Sequence, residues 1–373
     1  MNRRPSKSRS GYDAFSSEHT AHFTASAPDH SFFEPRRKSR PGRRALLLIL
    51  LALLLILVPN FVINQFVSVS RISVPIRGLT EAFEGYTILH ISDLKGALFG
   101  SGQQLMRFAL GKSAFDAVVM TGDMVSSRGN AQPLYALIEL LRELNPDAPI
   151  YFIAGDDDPE PVSMNYAPGG SPFAPWVLGA RQRGAQLLSA PVGIERDGQT
   201  LWLTASNQLS LDIDAMQGQF ELRYLSALAG GDENEIELAA YNLGWLEQTR
   251  TARAAMRESD AVIAVTHVPP SDEEILRSSG LSSGQVGLLL CGHALGGLIR
   301  LPVIGPVFVP SQSLPRYGLF PGADAVSGLR RADHTWVYAS PGLGSEDAHY
   351  PSFFFRLFNP PTVSLLSLTP SAL

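Results

Sequence analysis

Thr87-Ile88-Leu89-His90-Ile91-Ser92-Asp93-Leu94-Lys95-Gly96 is an apolar run that ends on a carboxylate. The same grammar recurs four more times along the chain. Ala117–Met120 precedes Thr121-Gly122-Asp123, Ile150–Ala154 precedes Gly155-Asp156, Ala261–Val265 precedes Thr266-His267, and Leu288–Cys291 precedes Gly292-His293. Short unbroken apolar runs of this kind read as strands buried on both faces. Carboxylates and imidazoles at several strand ends can converge on one metal.

Helical patterns alternate with these runs. Gln103–Leu110 is one; Pro133–Leu144 is another, with Leu134, Leu137, Ile138 and Leu141 on one face; Asn242–Arg257 is a third. The alternation predicts an α/β body with a largely buried sheet. Leu187–Leu188, Val192–Ile194 and Leu201–Ala205 read as antiparallel strands, with Asp197-Gly198 as a hairpin turn. The acidic stretch Gly230–Glu237 reads as a solvated loop. From Leu298 on, Pro and Gly mix with short strands such as Trp336–Ser340 and Val363–Leu368, with no linker, so this part belongs to the same domain.

The N-terminus differs in kind. Residues 1–44 carry ten Lys and Arg against four Asp and Glu, while the remaining 329 carry twenty against thirty-one. The tail is polar and aperiodic, which predicts disorder. The acidic body offers no basic face for phosphates of a nucleic acid, which excludes that partner class. After Arg43-Arg44 come fourteen apolar residues, Ala45–Val58. As a helix they span about 21 Å, short of a hydrocarbon core of about 30 Å. Extension through Pro59 to Ile63 supplies the difference. A core helix needs no apolar residue on every face, so a membrane span at 45–66 is expected. Basic residues before the run place the tail in the cytoplasm and the body outside. A cleaved signal peptide ending near Ser68-Val69-Ser70 is the rival reading, and the uncleaved anchor is favoured. Cys291 is the only cysteine, so there is no intrachain disulfide; it reads as a small apolar residue in a strand.

The segments around the five strand ends resemble the motif series of calcineurin-like metallophosphoesterases, in the membrane-associated bacterial branch. They are Ile91–Gly96, Val119–Val125, Ile153–Asp158, Thr266–Pro269 and Gly292–Gly297, followed by Ile299–Pro302, Leu314–Tyr317, Pro341–Gly344 and Arg356–Pro361. The resemblance runs in order from about Tyr86 to Leu368. It implies a four-layer αββα sandwich with a metal site at strand ends, here preceded by a single transmembrane helix. In the family two divalent cations polarise a phosphate ester. By the same resemblance Asp123, Asp156, His267 and His293 would ligate one cation of the Mn, Zn or Fe kind, with Asp156 standing in for Asn. The other cation fares worse. Asp93 remains, but Lys95 replaces a His ligand, Leu295 replaces the last His, and Asp157 replaces the His that acts on the leaving group.

With Asp93, Asp123, Asp156 and Lys95 in place, one dication makes the ligand shell neutral. Lys95 is expected to fill the space of the missing metal and pair with Asp93, because residues two apart leave a strand on one side. Plainer roles exist for each residue. Asp93 and Asp123 are candidates for helix caps, His267 for an inert loop histidine, and Asp156-Asp157-Asp158 for a solvated turn. His90 reads as a packed strand residue, and Arg300 and Arg316 as structural rather than phosphate-binding.

Two functions follow from the resemblance. One is a membrane-anchored enzyme that hydrolyses a phosphate ester, lipid-linked substrates included, at a site with one divalent metal. The other is a pseudoenzyme without catalysis, holding one metal or none, that serves as a binding or scaffold module of the envelope. The expected layout is a basic cytoplasmic tail at 1–44, a signal anchor at 45–66 in the bacterial cell membrane, a linker at 67–85, and an extracytoplasmic phosphoesterase domain at 86–373.

Overall fold

The computed structural model describes residues 41–126, 129–166, 171–279, 285–309, 318–321, 326–345 and 356–371. Most of the expected disordered tail, residues 1–40, lies outside the described residues, as does Arg316. By internal contacts the chain divides into residues 1–52 and 53–373, and the second unit holds the whole body.

Helix α1 runs over Pro41–Ile63 with Pro59 inside it. Its apolar window has a mean hydropathy of 3.1 and is only 6% buried, which makes it long and apolar enough to cross a membrane.

The body has fifteen described strands: β1 Ser68–Ile76, β2 Thr87–Ile91, β3 Ala117–Thr121, β4 Ile150–Ile153, β5 Ala185–Leu187, β6 Val192–Arg196, β7 Gln199–Ala205, β8 Ala261–Val265, β9 Gln285–Cys291, β10 Ile299–Leu301, β11 Gly305–Val309, β12 Gly318–Leu319, β13 Gly328–Ala332, β14 Thr335–Ala339 and β15 Thr362–Pro370. Two six-stranded sheets form, in the orders β1-β15-β2-β3-β4-β5 and β13-β14-β9-β8-β7-β6, and β10-β11-β12 make a small third sheet. The central strands β2, β3 and β4 of one sheet, and β7, β8 and β9 of the other, run parallel. Their carboxyl ends are where α/β sheets place ligand sites.

Residues alternate between the faces of these strands. From the first sheet Ile88, Val119, Leu366 and Leu368 meet Leu203, Ile263, Leu288 and Leu290 of the second. The opposite face of the first sheet, with Leu89, Met120 and Phe152, packs under helices α2 (Gln104–Leu110), α3 (Gln132–Leu144) and α4 (Pro175–Gln182). The outer face of the second sheet packs against Leu209, Met256 and Ile275. Sheets face to face with helices on both sides are the αββα sandwich expected from the sequence. Tyr338 Oη makes a polar contact between the sheets, 2.6 Å from Ser364 Oγ.

Three local readings are corrected. Leu187 does not join the hairpin of β6 and β7; it ends β5, which lies parallel to β4 in the first sheet. Gly230–Glu237 is not a loop but the junction of two helices after the short α5 (Ser206–Leu209), namely α6 (Ile213–Gly230) and α7 (Glu233–Ala255). Gly231 at φ 68 ends α6, and Asp232 caps α7 by accepting from the Glu235 N–H at 3.2 Å. Glu233 and Glu235 then sit at the positive end of the helix dipole, so acidity here starts a helix. Within the expected linker 67–85, β1 pairs along its whole length with β15, because Val74 and Ile76 are buried in the inter-sheet core.

Candidate metal centre

The motif residues leave their strands through strained turns. Asp93, Lys95, Asp123, His293 and Leu295 all have positive φ, between 48° and 62°. L-residues there cost of order 1–3 kcal/mol each, and such strain collects at functional sites. Gly292 shows why the turns are so tight. A Cβ on it would overlap Ser92 Oγ and lie 2.7 Å from Asp93 Oδ2. The backbone ties the turns together: the Asp93 N–H donates to Gly122 O at 3.0 Å, the Lys95 N–H to Asp123 O at 2.8 Å, the Gly292 N–H to His267 O at 2.9 Å, and the Gly344 N–H to Asp93 O at 2.6 Å.

Asp123, Asp156, His267 and His293 converge, each with a ligand-type atom within 4.8 Å of the others. His267 Nδ1 lies 2.7 Å from Thr121 O and donates to it, which directs Nε2 into the cluster. That Nε2 is 3.1 Å from Asp123 Oδ2, 2.8 Å from Asp156 Oδ1 and 3.2 Å from His293 Nδ1. His293 Nδ1 is 3.1 Å from Asp156 Oδ1. Acceptor atoms crowded this way repel unless a positive charge joins them. Ligands at tetrahedral bond lengths of 2.0–2.1 Å stand roughly 3.3 Å apart, close to these separations. Two carboxylates and two imidazoles therefore fit a cation of the Zn, Mn or Fe kind.

Without a cation, a proton takes its place. Burial alone would lower the His267 pKa, but Asp123 and Asp156 outweigh it and raise it well above 6.5. Burial would likewise raise Asp123, yet His267 and Lys95 hold it down to about 2. His267 and His293 hold Asp156 well below the usual carboxylate range, against the pull of burial. Metal and proton thus compete at His267. Apparent metal affinity is expected to rise as pH climbs from about 6 to 8, by up to about tenfold per unit for one displaced proton. The sign for the fold is opposite. Protonated His267 stabilises the metal-free form fully below pH 6.5, and that contribution fades as pH rises through its raised pKa. Titration calorimetry at several pH values checks this; an affinity flat with pH would contradict it.

Lys95 lies in the site, 8% exposed, and corrects the expected pairing. Its Nζ donates to Asp123 Oδ2 and Asp157 Oδ2, both at 2.7 Å, and has no hydrogen bond to Asp93. Strand alternation ends at Ile91, and the left-handed backbone at both Asp93 and Lys95 redirects their side chains. Burial disfavours the ammonium, but Asp123, Asp93 and Asp157 outweigh it, so Lys95 stays protonated. Asp93 stands beside the converging set. Its Oδ2 accepts from Ser92 Oγ at 2.6 Å and the His293 N–H at 3.0 Å, while Oδ1 is buried without a hydrogen-bond partner among the described residues. Burial pushes this carboxyl up from 3.8, against the pull of His267. Leu295 is next to it: a Cβ on Gly342 would touch both Asp93 Cβ, at 3.0 Å, and Leu295 Cδ2, at 3.1 Å.

Neither Asp93 nor Asp123 caps a helix; each bonds inside the site. Asp158 is no solvated turn residue. It is buried, and its two oxygens accept from the Val125 N–H at 2.7 Å and the Gly155 N–H at 2.9 Å, clamping two motif loops together. Burial pushes its pKa up to about 6. His90 is a packed residue, with Nε2 2.9 Å from Thr121 Oγ1, and burial pulls its pKa down to about 3. Cys291 is buried in β9, its Sγ donating to Tyr338 O. Arg300 is structural: it donates to Gly296 O at 2.7 Å and Ser327 Oγ at 2.8 Å.

The role of Arg356 was not visible in the sequence. Its guanidinium is buried and donates to four carbonyls: Asn359 at 2.8 Å, Gly344 at 2.6 Å, Leu295 at 3.3 Å and Pro341 at 2.6 Å. Those carbonyls belong to loops that frame the site. Arg356→Met keeps the bulk and strands them, so a loss of about 3 kcal/mol or more is expected. A thermal melt of the detergent-solubilised chain reads it, and an unchanged midpoint would contradict it.

A model of the calcineurin-like phosphoesterases matches residues 86–296, more than half of the chain. The chain belongs to that family. A Bacillus subtilis protein described as an uncharacterized metallophosphoesterase, YkuE, is 25% identical over 268 residues, covering 71% of this chain and 74% of that protein. Among solved structures, the phosphopantetheinyl hydrolase PptH of Mycobacterium tuberculosis aligns with 78% of this chain and 98% of its own, at 11% identity and a TM-score of 0.34. TT1561 of Thermus thermophilus aligns with 72% of this chain and 96% of its own, at 11% identity and a TM-score of 0.35.

Proposed function

We propose that this protein is a membrane-anchored phosphoesterase that works with one divalent metal held by Asp123, Asp156, His267 and His293. The observation that carries the reading is the convergence of those four side chains into a set of ligand atoms that suits one cation. When bound, such a cation supplies Lewis-acid polarisation of a phosphoryl oxygen and a more acidic water. His267 is oriented for this by Thr121 O. Lys95 supplies a fixed positive charge beside Asp123, where the family pattern has a second metal. Asp157 accepts from Lys95 and holds the place of the family's acid histidine, and the Lys95 ammonium beside it is held too firmly by carboxylates to give up a proton. Loss of a positioned acid costs about 10²–10⁴-fold, which leaves turnover slow but measurable.

Helix α1 supports anchoring in a bacterial cell membrane, with the basic tail in the cytoplasm and the body outside. A substrate that presents a phosphate ester at the membrane surface, such as a phospholipid or a lipid-linked phosphate, fits that placement. The Lys95 ion pairs favour the second reading, a pseudoenzyme of the envelope, because they neutralise charge that would otherwise attract phosphate. The experiment that separates the two is hydrolysis of a generic aryl phosphate diester by the full chain with Mn²⁺ added. Turnover that disappears in Asp123→Ala is expected; no turnover in a metal-loaded chain would overturn the enzyme reading.

A further inference from the structure

Apolar side chains occupy the tips of the small third sheet, where a turn ordinarily uses Gly, Asn or Asp. Val303, between β10 and β11, has φ 71 and is fully exposed. Phe320, just after β12, has φ 54 and is 63% exposed. Ile304 and Leu319 beside them are exposed as well. A β-branched or aromatic residue in left-handed backbone is a genuine outlier. None of these four side chains belongs to a hydrophobic cluster of the described residues, so packing within those clusters does not account for the strain. A third case is Phe358, with φ 51 and 44% exposure.

Phe358 shows what the tips adjoin. Its N–H donates to Asn60 Oδ1 at 2.9 Å, and Asn60 and Asn64 Nδ2 each donate to Arg356 O at 2.6 Å. Asn60 lies in the last turns of α1, and Asn64 just past its end. On its other side the same segment joins β10, through Leu357 N–H to Leu298 O and Arg300 N–H to Leu357 O, both at 2.9 Å. The Phe320 N–H in turn donates to Val307 O at 2.8 Å. The exposed apolar tips are therefore continuous, through 356–358, with the end of the helix read as a membrane span.

We propose that the Val303 and Phe320 tips, with Phe358, form a second membrane contact that dips into the lipid headgroup boundary beside the exit of α1. The proposal rests on the reading of α1 as a membrane anchor. Apolar side chains of this kind sit at such boundaries about 5–10 Å deep. Because β10 follows the His293–Gly297 turn directly, this contact holds the rim of the metal centre at the lipid surface.

Cysteine labelling tests it in the full chain, since native Cys291 is buried and slow to label. Val303→Cys, Phe320→Cys and the control Leu222→Cys on α6, itself 71% exposed, each receive an environment-sensitive fluorophore. The labelled chains are placed in phosphatidylcholine–phosphatidylglycerol vesicles, with and without lipids spin-labelled just below the headgroup. Labels at 303 and 320 are expected to shift to the blue and to be quenched severalfold by the spin-labelled lipid, with 222 unchanged. Chains that float with the vesicles while 303 and 320 report water would overturn the contact and leave the anchor intact. Chains that do not float at all would overturn both. A blue shift that tracks protein concentration, without lipid quenching, would assign the tips to another copy of the chain and overturn the proposal.

Discussion

Asp123→Ala is expected to empty the metal centre and abolish hydrolysis together. Asp123 Oδ2 lies 3.1 Å from the His267 nitrogen and 2.7 Å from Lys95, while its Oδ1 accepts from the Asp157 N–H at 2.9 Å. No other side chain in the site makes all three contacts. Loss of a hydrogen-bond partner behind a metal ligand already costs about 10–100-fold in metal affinity, so loss of this ligand should cost at least about 100-fold. Alanine also breaks a buried ion pair and leaves the Lys95 ammonium short of a partner, worth about 3–5 kcal/mol of stability. Asp123→Asn separates the two effects, because it keeps the shape of the side chain and one of its oxygens. Metal should be lost from a chain that still melts cooperatively. Metal retained in both variants would contradict the assignment.

The opposite experiment rebuilds what the chain lacks. The triple substitution Lys95→His, Asp157→His and Leu295→His is expected to raise metal content from one to two per chain and to increase turnover. Three observations support the geometry. Lys95 Nζ sits against Asp123, the carboxylate that bridges two cations in the family pattern. Leu295 lies beside Asp93 across Gly342. Asp93 Oδ1 is buried without a hydrogen-bond partner among the described residues, and a second cation would supply it with one. Lys95→His alone should gain less, since Leu295 still offers no ligand. Restoring an acid at 157 should contribute on the order of 10²–10⁴-fold. A triple variant that folds and still holds one metal would show that these side chains do not surround a second position.

Much of the fold was legible because the strands are short, apolar and buried on both faces. β2, β3, β4, β8 and β9 end within about one residue of the apolar runs that announce them. The resemblance of the strand-end motifs implied that Asp123, Asp156, His267 and His293 would share a site, and the four converge. What the sequence concealed depends on backbone direction and long-range partners. Strand alternation pairs Lys95 with Asp93, but left-handed turns at both residues send it to Asp123 and Asp157. Asp158 resembled solvent-facing acid because its partners are backbone N–H groups at Val125 and Gly155, one of them distant in sequence. Arg356 stood in a motif segment, but its role was not legible, since four carbonyls rather than a carboxylate satisfy it. The acidic 230–237 segment hid a helix cap, which depends on a single Asp and the glycine before it.

The central claim is a metal centre reduced to a single cation, with Lys95 standing where a second would bind. Metal content per chain tests it most directly. The full chain, purified in detergent and equilibrated with Mn²⁺ or Zn²⁺, is freed of loosely held ions and measured by elemental mass spectrometry. One metal per chain in the native sequence and none in Asp123→Ala is the predicted result. Two metals per chain, or none at any concentration tested, would contradict it.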